Sequence, residues 1–426
     1  MGHHPLGHRV CHRHFHHLPA EPARRDGDAS YAQGAAWNLA CIPFSVRKLT
    51  VGLVLALAVL TAGGNKLYDQ LPDFGNSKTM LWQDPGRVED RDLRYGPGGK
   101  KLEPKAPFKF EKEGFAGQSP KVQIKDANGR EWMIKFGDEA RPDTFCSRLA
   151  WALGYYAEPN YFLEGEFIEG ANGLQRARPY IAADGRTDGG RFQLRSKTPE
   201  YMDGYSWGWE KNPFVGTPQL NGLKILMMLV SNWDDKDIHE THEWSPALGY
   251  HVILSWMRPG SNNAIYRDGN RYLFFIDDWG ASMGGWGSSL RRDKWDCAAF
   301  TGQTKRFVRR GGNGRIEWGY SGINTKRVAT GIGVADVQWL MQYLGQITDE
   351  QLQAGLLASG ASASKAACYM QAFRARIGQL EAATGGGQPR GVGKSTTPLP
   401  PIPPASPSVS DARALDPAPK IRNVQQ

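Results

Sequence analysis

Two short stretches hold residues whose types and spacing could do chemistry. The first, Leu223–Asp237, reads LKILMMLVSNWDDKD: an apolar run (Leu223, Ile225, Leu226, Met227, Met228, Leu229, Val230) ending in a polar turn with Asp234, Asp235, Lys236 and Asp237. The second, FFIDDWGASMG, follows a strand-like run, Tyr272–Ile276, with Asp277, Asp278 and a glycine-containing turn. One acid delivered by a buried helix and another by a buried strand would supply the base and the metal clamp of a phosphoryl-transfer site. Such a site also needs positive charge on the phosphates. Lys135 suits that role, because it sits near the end of a strand whose neighbour follows a glycine turn, GFAGQSP, with Gly114, Gly117 and Ser119. Asp143 and Glu139 are the candidates to hold the lysine from the next helix, although Asp143 could equally cap that helix. Each acid taken alone reads as a solvated turn residue; the ordered set is what points to chemistry.

The elements that must position these residues are legible in outline. KVQIKD and REWMIKF flank Ala127–Arg130, and Asn-Gly between alternating runs is a strong hairpin signal. RPDTFCSRLAWALGYY places Phe145, Leu149, Ala152 and Leu153 at helical spacing, with Gly154 as the stop. EPNYFLEGEFIEG reads as one or two strands, 175–217 as loops with mixed pieces, and 220–231 as an apolar helix. A strand is expected at His251–Trp256. A second hairpin runs from Asn262, Asn263, Ala264, Ile265 and Tyr266 through a turn at Arg267–Asn270 to Asp277 and Asp278. The chain is then polar and glycine-rich to about Gly333. Three helices follow: Asp336–Gly345, one behind the capping box Thr348–Gln351, and Ser364–Ala383.

Composition bounds the possibilities. With 426 residues, 40% hydrophobic and 11% aromatic, the chain has ample material for a core. The formal charge of +9 is spread without an uninterrupted basic block, so no nucleic-acid partner is expected. Residues 1–45 hold seven of the ten histidines and read as a disordered leader. VRKLTVGLVLALAVLTAGG follows in the charged, apolar, small-residue order of a signal peptide or short anchor, over 46–64. It implies an exported protein: periplasmic, secreted or membrane-anchored through that segment. Residues 65–105 read as an extended lead-in and 384–426 as a disordered tail rich in Pro and Gly. The five cysteines show no metal-ligand spacing. Three of them lie beyond residue 64, an odd count that argues against a full disulfide framework, and Cys146 reads as a core residue.

The set comprising the lysine strand, NWDDKD, the NNAIY hairpin and IDDWG resembles the protein-kinase-like superfamily, nearer its atypical members: phosphoinositide kinases, HipA-type kinases and secretory-pathway kinases. The resemblance spans roughly 108–380. It implies an α+β, two-lobed protein-kinase-like fold: a small β-rich N-lobe with one helix over 106–170, and a larger, mainly helical C-lobe over 171–383 with an insertion at 238–261. By that resemblance Lys135 contacts the phosphates of ATP, paired with Asp143 or, failing that, Glu139. Gly114, Gly117 and Ser119 lie over the phosphates. Asp234 is the catalytic acid with Lys236 beside it, and Asp278 with Asn263 or Asn262 holds Mg²⁺ or Mn²⁺. The family spaces its base and metal-binding Asn about five residues apart. Here His239 stands at that offset from Asp234, whereas Asn263 lies beyond the insertion and is preferred because an aliphatic pair and a hairpin follow it. The helix acid is Asp rather than Glu, and the glycine turn is poorer than the family's. The acceptor would be a protein, lipid or sugar hydroxyl, and nucleotidyl transfer would use the same parts. The alternative is a non-catalytic nucleotide- or partner-binding envelope protein on the same scaffold. A metal-dependent hydrolase is disfavoured, because no HxH or HExxH cluster accompanies the acids.

Overall fold

The computed structural model describes residues 71–115, 119–237, 261–287 and 293–385. The leader, the segment 46–64, Gly117, His239, the strand expected at His251–Trp256 and the tail from 386 lie outside the described residues.

The described chain is mixed α+β. Its lead-in carries β1 (Lys78–Met80) and buries Leu81, Val88 and Leu93 in the largest core. These anchors are too widely spaced among Gly, Pro and Asp to make a periodic signal. Strands β2 (Phe108–Gly114), β3 (Lys121–Lys125) and β4 (Glu131–Lys135) pair antiparallel in succession. The β3–β4 turn places Gly129 at φ +73°, which glycine adopts without strain. Helix α1 (Ala140–Ala152) follows, then β5 (Asn160–Leu163), β6 (Ile168–Glu169) and β7 (Gly190–Leu194). They complete a six-stranded sheet in the order β5-β7-β4-β3-β2-β6. β7 falls in the stretch 175–217, expected to be loops with mixed pieces, yet it lies inside the sheet; five residues behind a glycine-rich turn show too little alternation to declare a strand. Val122, Ile134 and Phe192 stand opposite one another on one face of this sheet and enter its apolar core with Trp132 and Tyr161.

The rest begins with β8 (Glu200–Tyr201) and helix α2 (Pro218–Leu229). Pro218 opens α2, and Thr217 Oγ1 accepts from the Leu220 amide at 3.3 Å. From Leu220 to Leu229 the helix is buried on every side, as its continuous apolar run requires. Strands β9 (Asn263–Asp268) and β10 (Arg271–Ile276) form the second hairpin in a sheet ordered β1-β10-β9-β8. Helix α3 (Cys297–Thr304), the hairpin β11 (Val308–Arg310) and β12 (Ile316–Trp318), and α4 (Thr325–Val328) occupy the stretch read as polar and glycine-rich. Then come α5 (Val334–Leu344), α6 (Asp349–Leu357) with the Thr348/Gln351 capping box, and α7 (Ala363–Ala383). Among the described residues no helix is long and apolar enough to cross a membrane.

Cys297 of α3 and Cys368 of α7 form a disulfide, and Cys146 is free and buried in α1. Closing a separation of 71 residues restricts the unfolded chain, a constraint worth about 2–4 kcal/mol. Reduction is therefore expected to lower the thermal midpoint by several degrees. An unchanged midpoint in dithiothreitol would show that the bridge contributes nothing to stability.

Candidate active site

The site is centred on the Lys135 ammonium at the end of β4. Its Nζ lies 2.9 Å from Glu139 Oε2, 3.3 Å from Asp143 Oδ2 and 3.2 Å from both carboxylate oxygens of Asp278. Burial alone would favour loss of its proton, but Asp278, Asp143 and Glu139 outweigh it and hold the pKa above the ordinary lysine range. Asp143 is fully buried in the first turn of α1. It also meets Arg191 of β7 at 2.7 Å and accepts from the Trp279 amide at 3.2 Å. Burial pushes the Asp143 carboxyl up against the pull of Arg191 and Lys135. Glu139 accepts from Ser119 Oγ at 2.6 Å and pairs with Lys294 at 2.5 Å. Burial opposes its charge, yet Lys135 and Lys294 hold it below the usual carboxylate range. Asp278 sits in the turn after β10, where its Oδ1 accepts from the Gly280 amide at 2.8 Å.

The turn after α2 lies alongside. Arg376, fully buried in α7, donates to the Leu229 carbonyl at 2.7 Å and to Ser231 Oγ at 2.8 Å, so it caps the helix end where the turn begins. The Trp233 amide donates to the Ala281 carbonyl at 3.2 Å, which ties this turn to the one holding Asp278. Its acids divide by role. Asp235 accepts from Tyr320 Oη and the Asn324 amide, and burial pushes its carboxyl up to about 7. Asp237 accepts from the Trp209 amide at 2.7 Å and from Arg327 at 2.9 Å. Both pin the turn. Asp234 is paired with Lys236 at 3.1 Å, but its Oδ1 is buried and has no hydrogen-bond partner among the described residues. Burial raises its pKa, Lys236 opposes the rise and Asp278 adds to it.

Of the two asparagines, Asn262 is the one at this turn. Its Nδ2 donates to the Asp234 carbonyl, its amide donates to the Lys236 carbonyl, and its own carbonyl accepts from Asp277. The Asn263 side chain instead donates to the Trp207 carbonyl at 2.7 Å inside the core. Adjacent residues in an extended segment face opposite ways, so one position of register separates the two. Asn263 was the preferred expectation, but it is Asn262 whose hydrogen bonds bring it to the turn holding Asp234.

Lys135, Glu139, Asp143, Ser119 and Asp278 are thus together, with Asp234, Lys236 and Asn262 on the adjoining turn. Both acids touch the lysine, Glu139 at 2.9 Å and Asp143 at 3.3 Å, and Asp143 is also shared with Arg191. Gly114 stands opposite Lys121 at the end of β2. Arg191 and Lys294 were missed. Arg191 lies on the unrecognised β7, and Lys294 stands among the other charged residues of RRDKWD, where nothing distinguishes it.

Behind the site, Tyr266 Oη donates to Asp277 Oδ1 at 3.3 Å, close to Glu158. Burial, and then Asp277, push the Glu158 carboxyl up to about 8. The folded state therefore keeps a proton that an unfolded glutamate releases near pH ~4.3. The associated stability is complete below that value and is lost as pH rises through the folded pKa. Glu158→Gln, permanently neutral, is expected to flatten the decline in thermal midpoint across this window and to exceed wild type at about pH 9. Superimposable pH profiles would show that Glu158 is not the titrating group.

Compared with models of protein families, with curated proteins and with solved structures, the chain matches none significantly.

Proposed function

We propose that this protein is an exported, kinase-like phosphotransferase that uses ATP and Mg²⁺ or Mn²⁺ on a protein, lipid or sugar hydroxyl. In this reading the sheet with α1 is the small lobe and the helical remainder the large one. The observation that carries the proposal is the Lys135 contact set: a strand lysine held by acids from the start of α1 and touching the acid that follows β10. Those are the parts a phosphoryl-transfer site brings together from separate elements.

The residues fit a divalent cation. The Asp278 side chain is 38% exposed, and the Asn262 amide nitrogen is taken by the Asp234 carbonyl, which leaves its oxygen as the coordinating end. Among the described residues no three His, Cys, Asp or Glu side chains group to hold a metal unaided. Magnesium commonly takes one or two protein carboxylates and completes its shell with phosphate oxygens and water. When bound, the ion would neutralise charge on the phosphates. Lys135 would bind phosphate oxygens, Glu139 would keep the lysine in place, and Asp234 would orient the acceptor hydroxyl and take its proton. A base with an elevated pKa is suited to that transfer near neutral pH. The Cys297–Cys368 bridge supports export, since such bonds persist mainly in oxidising compartments.

The test is a thermal-shift titration with ATP, with and without Mg²⁺ or Mn²⁺, repeated on Lys135→Ala. A metal-dependent rise in midpoint that the variant loses is the expected result. Absence of any shift would refute the nucleotide site. Binding without ATP consumption across an acceptor panel would favour a non-catalytic nucleotide-binding protein.

A further inference from the structure

The register of the six-stranded sheet sets Gly114 of β2, Lys121 of β3, Lys135 of β4 and Arg191 of β7 in a single row. The next row, Val122, Ile134 and Phe192, enters the apolar core. Alternation therefore turns the three cations to the other face, the one that meets Asp143 and Asp278. Like charges directly opposite each other destabilise a sheet, so such a row persists only where anions answer it. Arg191 and Lys135 have theirs in Asp143, Glu139 and Asp278.

Lys121 does not. Its side chain makes no ion pair or hydrogen bond among the described residues. Its burial, and then Lys135 beside it, push its pKa below that of an ordinary lysine, although Asp278 acts the other way. The strand end leaves room for it: a Cβ at Gly114 would stand 2.6 Å from Lys121 Cγ and 3.2 Å from Cδ. A cation kept half-buried beside a like charge, with space cleared for its stem, is an incomplete arrangement that an anion would complete. Neighbouring strands lie about 4.8 Å apart, so two lysines in register suit linked phosphates better than one small anion.

We infer that Lys121 is a second phosphate-binding residue, and that the polyphosphate of a nucleoside triphosphate bridges Lys121 and Lys135 along this row. The inference rests on the nucleotide reading above. Gly114 then acts by seating Lys121, as a positioning residue.

The full chain would be titrated, all in the presence of Mg²⁺, with ATP, with inorganic tripolyphosphate and with adenosine, as wild type, Lys121→Gln, Lys121→Arg and Gly114→Ala. Lys121→Gln is expected to weaken both phosphate-bearing probes by about 10-fold or more, as loss of a charge-assisted contact would, and to leave adenosine unaffected. Lys121→Arg should restore most of the loss, and Gly114→Ala should reproduce part of it. Without ligand, Lys121→Gln should melt at or above the wild-type temperature, because a like-charge contact has been removed. Wild-type affinity in Lys121→Gln would overturn the inference and leave the nucleotide site standing. Tripolyphosphate binding that needs Lys121, with no preference for ATP, would uphold the anion site and refute the nucleotide reading. No binding of either phosphate probe by wild type would refute both.

Discussion

Asp278→Ala is expected to abolish metal-dependent nucleotide binding, weakening it by about 100-fold or more, while the fold persists. In the proposed site Asp278 is the carboxylate best placed for a cation, since its side chain is 38% exposed and it ends a buried strand at a turn. Its removal leaves Lys135 with Glu139 at 2.9 Å and Asp143 at 3.3 Å, so no buried lysine is stranded. Stability should change little, apart from the Gly280 amide that loses its acceptor. Calorimetric titration with Mg-ATP, alongside a melting curve, separates the two effects. Unchanged affinity would remove Asp278 from the site, whereas a collapse in midpoint would make it chiefly a structural acid.

Asp143→Ala should give the largest loss of stability of any site variant. The carboxylate is fully buried and joins two cations, Lys135 at 3.3 Å and Arg191 at 2.7 Å, to the Trp279 amide. Taking one partner out of a buried ion pair leaves an uncompensated charge and costs about 3–5 kcal/mol. That corresponds to a fall in midpoint of roughly 5–10 °C for a chain of this size. Lys135 retains two other acids, so the cost falls mainly on Arg191. The double variant Asp143→Ala with Arg191→Met should therefore recover part of the loss, because an apolar pair replaces an isolated charge. Simple additivity of the two single effects would show that the pair is not coupled.

How far the sequence could be read depended on the range of each contact. The Asn128-Gly129 hairpin, the apolar α2, the Thr348 capping box and the paired acids of IDDWG are local, and each was recognised from a few adjacent residues. Arg191 escaped because its significance comes from β7 entering the sheet between β4 and β5, a pairing with no local signature. Arg376 escaped likewise: on α7 it resembles any helical arginine, yet it is fully buried against the rings of Trp286, Phe300 and Phe307. The choice between Asn262 and Asn263 turned on one position of register, which composition does not fix. The Cys297–Cys368 pairing was likewise unreadable, because it depends on α3 and α7 lying side by side.

The direct contact between Lys135 and Asp278 gives the proposed site a conditional logic. Each neutralises the other at 3.2 Å. A nucleotide arriving without metal could engage Lys135 only by depriving Asp278 of its main cation. A metal arriving alone would occupy Asp278 and set a second cation beside the lysine. Only both together satisfy both side chains, so each ligand should raise the affinity of the other by the same factor, as linkage requires. The ion pair would then act as a coincidence detector, resting while either free metal or free nucleotide is present and opening to their complex.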